Sequence, residues 1–221
     1  MLNDLLCAAT AMTTPHKGTR LSADEALERL IAGNQRFVRG EARTSAFRGE
    51  TLAELAQAQR PYATVLGCSD SRVPPEWIFD TGLGELFVIR VAGNILSPEI
   101  SGTLQYAGSY LETPLFVILG HEGCGAITAA LATRHEGVQF RSRVQGLLAS
   151  ILPGLPELDP TLSPEEQASR AVESNVRWTV RQILDSPEGK ERIAEGQMKI
   201  IGAVYEIKTG RVRFLPPDET R

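Results

Sequence analysis

The sequence predicts an α/β fold, a central and mostly parallel β-sheet of about four to five strands flanked by helices. Three observations lead there. Residues 62–67, 85–91 and 114–120 are near-continuous apolar runs, the pattern of strands covered on both faces. Helical stretches separate them, clearest over 98–112, and strand–helix–strand alternation builds a parallel sheet. Cys68 and His121 follow directly on two of these runs, at the carboxyl edge where open α/β sheets gather their ligands.

Taken in order, residues 1–20 read as a loose arm. Ser22-Ala23-Asp24-Glu25 is a capping box, and Leu27, Leu30, Ile31, Phe37 and Val38 recur at helical spacing. A helix over 22–38 follows, ended near Gly40. Residues 50–59 predict a second short helix, stopped by Pro61. Both precede the first strand, so they are expected to pack outside the sheet or on a partner subunit. Residues 136–162, with Pro153, Pro156 and Pro160, read as irregular. A long helix is expected at 163–185 from the start Ser163-Pro164-Glu165-Glu166, and a shorter one at 187–196. Residues 198–207 and 211–215 then read as strands around a turn at Thr209-Gly210. The expected organisation is one domain over 1–221, with a helical arm at 21–60 and an α/β core at 61–221.

With 221 residues and 42% hydrophobic content, the chain is long enough to bury a core of its own. Its net charge of −4 and lack of a basic stripe invite neither nucleic acid nor an anionic membrane surface. No apolar run approaches the roughly 20 residues of a membrane span. The first residues carry an acid and no Lys or Arg ahead of their apolar part, the reverse of a secretory signal. Three cysteines, Cys7, Cys68 and Cys124, are too few and too odd for a disulfide framework and suit a reducing compartment, so a cytoplasmic protein is expected.

Two strings carry the chemistry: Cys68-Ser69-Asp70-Ser71-Arg72 and His121-Glu122-Gly123-Cys124-Gly125. Taken singly, a cysteine at a strand end is a small buried hydrophobe, and a lone histidine is a satisfied core or surface residue. Together, Cys68, His121 and Cys124 are three zinc-preferring ligands at equivalent positions on one sheet edge. Cys124 opens the helix after the third strand, where a helix N-terminus favours the thiolate. Asp70 and Arg72 read either as a surface ion pair worth ~0–1 kcal/mol or as a clamp. In the clamp, Asp70 ligates the metal as a fourth ligand or is held off it by the planar fork of Arg72.

Cys-x-Asp-x-Arg followed by His-x-x-Cys-Gly closely resembles the β-class carbonic anhydrases. Val73-Pro74, residues 79–87 and Ala92-Gly93-Asn94 extend the likeness to about residues 55–215. The resemblance implies one Zn2+ per chain on Cys68, His121 and Cys124, with Asp70–Arg72 as a dyad and Asp70 as fourth ligand in a closed state. It places Gln59 as a hydrogen-bond donor to bicarbonate and Phe87, Tyr106 and Gly125 in the substrate pocket, Tyr106 coming from the partner of a homodimer or tetramer. Without the resemblance, Gln59 is a polar helix-end residue, and Phe87 and Tyr106 are core aromatics. The implied reaction is the reversible hydration of carbon dioxide to bicarbonate and a proton by a hydroxide on zinc. The alternatives are a carbon disulfide or carbonyl sulfide hydrolase on the same site, and a structural zinc protein that recruits partners. Allosteric members of the family carry a Trp three residues before the first Cys, in a second bicarbonate site. Val65 stands there, while Gly67, Arg90 and Tyr205 remain compatible with that site. His16 and His135 are proton-shuttle candidates because they titrate near neutrality.

Overall fold

The computed structural model describes residues 21–43, 52, 53, 55–157, 159–196 and 198–217. The expected arm at 1–20 lies outside them. Five strands, β1 Ala63–Gly67, β2 Leu86–Arg90, β3 Leu115–His121, β4 Lys199–Tyr205 and β5 Val212–Phe214, form one sheet in the order β2-β1-β3-β4-β5. The first four are parallel neighbours, and β5 pairs antiparallel to β4. β1 and β3 are buried at every position, which explains their unbroken apolar runs. From β1 the chain crosses to β2 on one side, and from β3 it crosses to β4 on the other. The carboxyl ends of β1 and β3 therefore flank the topological switch point.

Helix α1 (Ala23–Val38) begins at the expected capping box: Glu25 N donates to Ser22 Oγ at 3.2 Å, and Ser22 N donates to Glu25 Oε2 at 2.7 Å. It packs on its own chain, with Ala26 and Leu30 in the core. Asn34 fixes the docking through one side-chain amide. Its Nδ2 donates to Ile78 O and Gly210 O, at 3.1 and 2.8 Å, and its Oδ1 accepts from Val212 N at 2.9 Å. Residues 23–38 thus pack outside the sheet on their own chain, one of the two expected placements. At Gly33 a Cβ would stand 1.9 Å from Phe79 O, a backbone atom that cannot swing aside. Gly33→Ala is accordingly expected to destabilise the fold by about 1–3 kcal/mol, read as a lower melting temperature by circular dichroism. Of the short helix expected at 50–59, Leu52, Ala53 and Leu55 are helical and Ala56 N donates to Leu52 O, whereas 50, 51 and 54 lie outside the described residues.

The remaining helices are α2 Pro75–Ile78, α3 Pro98–Ser109, α4 Gly125–Glu136, α5 Ser142–Ile151, α6 Pro164–Asp185 and α7 Pro187–Ala194. The segment read as irregular at 136–162 contains α5. Its Leu148 and Ile151 are buried, and Val144, Leu147, Leu148 and Ile151 keep helical spacing. The prolines all follow this helix, so they end it rather than prevent it. α6 lies closely on β3 and β4 because Gly120 and Gly202 stand beneath Val176; a Cβ at either would come within 2.5 and 2.8 Å of its methyl groups. Among the described residues, no helix is long and apolar enough to cross a membrane.

Candidate active site

β1 delivers Cys68 and β3 delivers His121 to the switch point, and Cys124 is the N-cap of α4, which springs from the turn after His121. Gly123, at φ 61°, makes that turn tight. The two sulfurs and the imidazole have ligand atoms all within 4.8 Å of one another, and all three residues are buried. His121 Nδ1 donates to Glu122 O at 2.9 Å. In that tautomer Nε2 carries the lone pair, buried beside the sulfurs of Cys68 and Cys124. Two sulfurs and an imidazole nitrogen converging in a buried space form a donor set for a divalent cation.

The two sulfurs lie 4.0 Å apart. The hydrogen bond they share, in which either sulfur can donate, holds the Cys68 thiol well below its ordinary range and pushes that of Cys124 up. The pair thus already favours one thiolate, and a bound cation deprotonates both. Gly93 N–H donates to Cys68 Sγ at 3.4 Å.

Asp70 stands at the mouth of this cluster, its Oδ2 4.0 Å from His121 Nε2. Arg72 grips it with a fork: Nε to Oδ1 at 2.9 Å and Nη2 to Oδ2 at 2.7 Å, with Arg72 N–H adding a third bond to Oδ1 at 2.9 Å. These bonds hold the Asp70 carboxyl well below the usual carboxylate range. A second contact fixes the fork, since Arg72 Nη2 also donates to Gly123 O at 3.3 Å, next to Cys124. Arg90, at the end of β2, donates from Nε to Cys68 O at 2.9 Å and from Nη2 to Asp70 O. Reading the sequence missed this second arginine as a brace of the loop, because only the strand register brings it level with Gly67. Val65 is fully buried inside β1, and Tyr205 lies level with His121.

Gln59, Phe87 and Tyr106 are elsewhere. Phe87 is in register with Thr64, near the amino end of β1. At about 3.3 Å per residue, that level lies roughly 13 Å from Cys68. Tyr106 is beside Phe87, ring centroids 6.1 Å apart, and stacks on Tyr110 at 5.4 Å. Gln59 precedes the strand altogether and is exposed. All three therefore belong to the amino edge of the sheet, opposite the Cys–His–Cys cluster, although the resemblance assigns only Tyr106 to a neighbour. Gly125 does adjoin the cluster, and a Cβ there would meet nothing within 4 Å. A cavity of about 330 Å³ between α3, α6 and α7 shares no lining residue with the cluster.

A carboxylate kept beside the cluster by its own arginine would leave a metal held there one coordination direction open. Structural metal sites close that direction with a fourth permanent ligand, so this α/β fold carries at its switch point the donor set of a catalytic rather than a structural metal site. The family model described as carbonic anhydrase matches residues 63–212. The chain is 37% identical over 186 residues to carbonic anhydrase 2 of Mycobacterium tuberculosis, covering 82% of this chain and 87% of the relative. It is also 37% identical over 189 residues to the carbonic anhydrase of Mycolicibacterium smegmatis, covering 84% and 89%. Among solved structures, one of two tetrameric β-carbonic anhydrases from Sordaria macrospora superposes with a TM-score of 0.70 at 26% identity, covering 86% of this chain and 96% of that one. The chain belongs to the carbonic anhydrase family, in its β class.

Proposed function

We propose that this enzyme catalyses the reversible hydration of carbon dioxide to bicarbonate and a proton, using one Zn2+ held by Cys68, His121 and Cys124. The observation that carries this is the convergence of a buried imidazole nitrogen and two sulfurs, with Asp70 Oδ2 4.0 Å from His121 Nε2 and gripped by Arg72. Two sulfurs and one imidazole are a zinc donor set. When bound, zinc makes water a usable nucleophile, though less strongly than with three imidazoles because two thiolates cancel its formal charge.

The chain's own residues do the rest. Asp70 accepts a hydrogen bond from the attacking water through Oδ2 and aims it, and Arg72 keeps that carboxylate off the metal. Gly93 N–H and the Glu122 carbonyl fix the first sulfur and the imidazole. Gln59 donates to the developing carboxylate oxygen, while Phe87, Tyr106 and Gly125 form an apolar pocket that fits a linear, uncharged substrate. Gln59, Phe87 and Tyr106 sit at the far edge of their own sheet, so the complete site takes all three from a partner. The active unit is thus a homodimer or a multiple of it, and the Sordaria relative is tetrameric. The chain's three cysteines suit the cytoplasm, and the hold of Asn34 on α2 and the β4–β5 hairpin supports arm and core as one domain. With Val65 buried and two donors of Arg90 engaged by backbone carbonyls, regulation through a second bicarbonate site is weak.

The reading is tested by metal analysis and by parallel assays of CO2 hydration and CS2 hydrolysis on the purified protein. One zinc per chain and fast CO2 hydration are expected, with hydration lost on zinc removal and restored on its return. Turnover of CS2 without CO2 hydration would transfer the site to the alternative substrate.

A further inference from the structure

Behind Cys68 lies a buried polar network that the reaction as described does not use. The 3-10 turn Ala92–Asn94 carries two consecutive residues in the left-handed region, Gly93 at φ 72° and Asn94 at φ 42°. Glycine suits position 93, because φ 72° strains any side chain and a Cβ would also lie 2.8 Å from Ile151 Cδ1 and 3.2 Å from Ala126 Cβ. Asn94 is a non-glycine in a sparsely populated conformation, which persists only where its surroundings over-determine it. Helix α6 supplies that constraint. Asn175 Nδ2 donates to Gly93 O at 2.9 Å, and Thr179 Oγ1 donates to Asn94 O at 3.2 Å. Both side chains are 1% exposed. They are one helical turn apart, so they grip two successive carbonyls of the same turn.

We propose that Asn175 and Thr179 are positioning residues for the metal centre: they fix the 91–94 turn so that Gly93 N–H is aimed at Cys68 Sγ. The inference rests on Cys68 being a zinc ligand. An N–H bonded to a metal thiolate fixes the sulfur's direction and draws charge from it. This matters most where two thiolates already damp the metal. Plain satisfaction of buried groups is a weaker account of the network. The bonds that Asn175 Nδ2 and Thr179 Oγ1 make both end on carbonyls of this one turn. An apolar α6 interior would pack as well but would leave the two carbonyls, and with them Gly93, unheld.

The test uses zinc-loaded protein and four variants. Thr179→Val removes the hydroxyl at constant shape, Thr179→Ser keeps it, and Asn175→Leu removes the amide. Ile183→Ala destabilises the same helix at a residue outside the network. Zinc release to excess chelator is timed well below the melting temperature, and the cobalt-substituted protein is scanned for its sulfur-to-metal absorption band. Thr179→Val and Asn175→Leu are expected to release zinc about 10-fold faster and to shift that band. Thr179→Ser should restore both, and Ile183→Ala should melt earlier with wild-type release. If Asn175→Leu does not fold, the Val/Ser pair at 179 decides. Wild-type release and spectrum in Thr179→Val, or equally fast release in Ile183→Ala, would overturn the proposal. A wild type that holds no zinc would instead sink the functional reading, and the inference with it.

Discussion

Arg72→Ala is expected to keep its zinc and to lose CO2 hydration by a factor on the order of 10²–10³, the scale of a misplaced proton-handling group. Protonation of Asp70 is not the cause. Arg72 holds that carboxyl below its usual range, and even an ordinary aspartate, with a pKa of about 4, is ionised at neutral pH. What changes is geometry. Three hydrogen bonds from Arg72 fix a carboxylate whose Oδ2 is 4.0 Å from His121 Nε2. Without the two side-chain bonds, the anion is free to swing onto the metal and close the position that water needs. X-ray absorption should show an added carboxylate oxygen in place of solvent. Arg72→Lys should be intermediate, because an ammonium keeps the charge and not the fork. Full activity with unchanged coordination in Arg72→Ala would show that the pair is only the surface ion pair it resembles.

Two impaired variants should rescue one another. Cys124→Ala removes a sulfur from the cluster, and near-complete loss of zinc and activity is expected. Gln59→Ala should keep zinc and lose activity roughly 10- to 100-fold, the worth of a hydrogen bond to a charged group. The metal cluster and Gln59 occupy opposite edges of one sheet, so the proposed site joins the cluster of one chain to the partner's Gln59. A hybrid dimer then holds one intact site, made from the cluster of the Gln59→Ala chain and Gln59 of the Cys124→Ala chain. Random reassembly of equal amounts should recover about a quarter of wild-type activity, since half the two-fold dimers are hybrid and each has one good site of two. If Gln59 served its own chain, no hybrid site would be complete and mixing would recover nothing. Light scattering on the same samples should show no active monomer.

Local patterns settled much of this protein. The apolar runs of β1 and β3, the capping boxes of α1 and α6, and the placement of Cys68 and His121 just past two strands are all decided within a few residues. Burial on both faces leaves a strand little choice of composition, and a capping box needs only four positions. The same locality gave Asp70 and Arg72 their common turn. Helix α5 was legible too, through Val144, Leu147, Leu148 and Ile151, but three prolines downstream masked its spacing.

Tertiary structure alone decided what joins distant segments. Asn34 reaches Gly210 across 176 positions, and Asn175 reaches Gly93 across 82. In the sequence each is one polar residue on a helix, with nothing local to name its partner. The strand register likewise put Arg90 beside Gly67, and Phe87 far from the cluster that the family resemblance joins it to. A parallel sheet accounts for this division. Its carboxyl edge collects the residues that directly follow each strand, which a sequence displays. The grip on that edge comes from helices and strands whose relative placement depends on how the whole core packs.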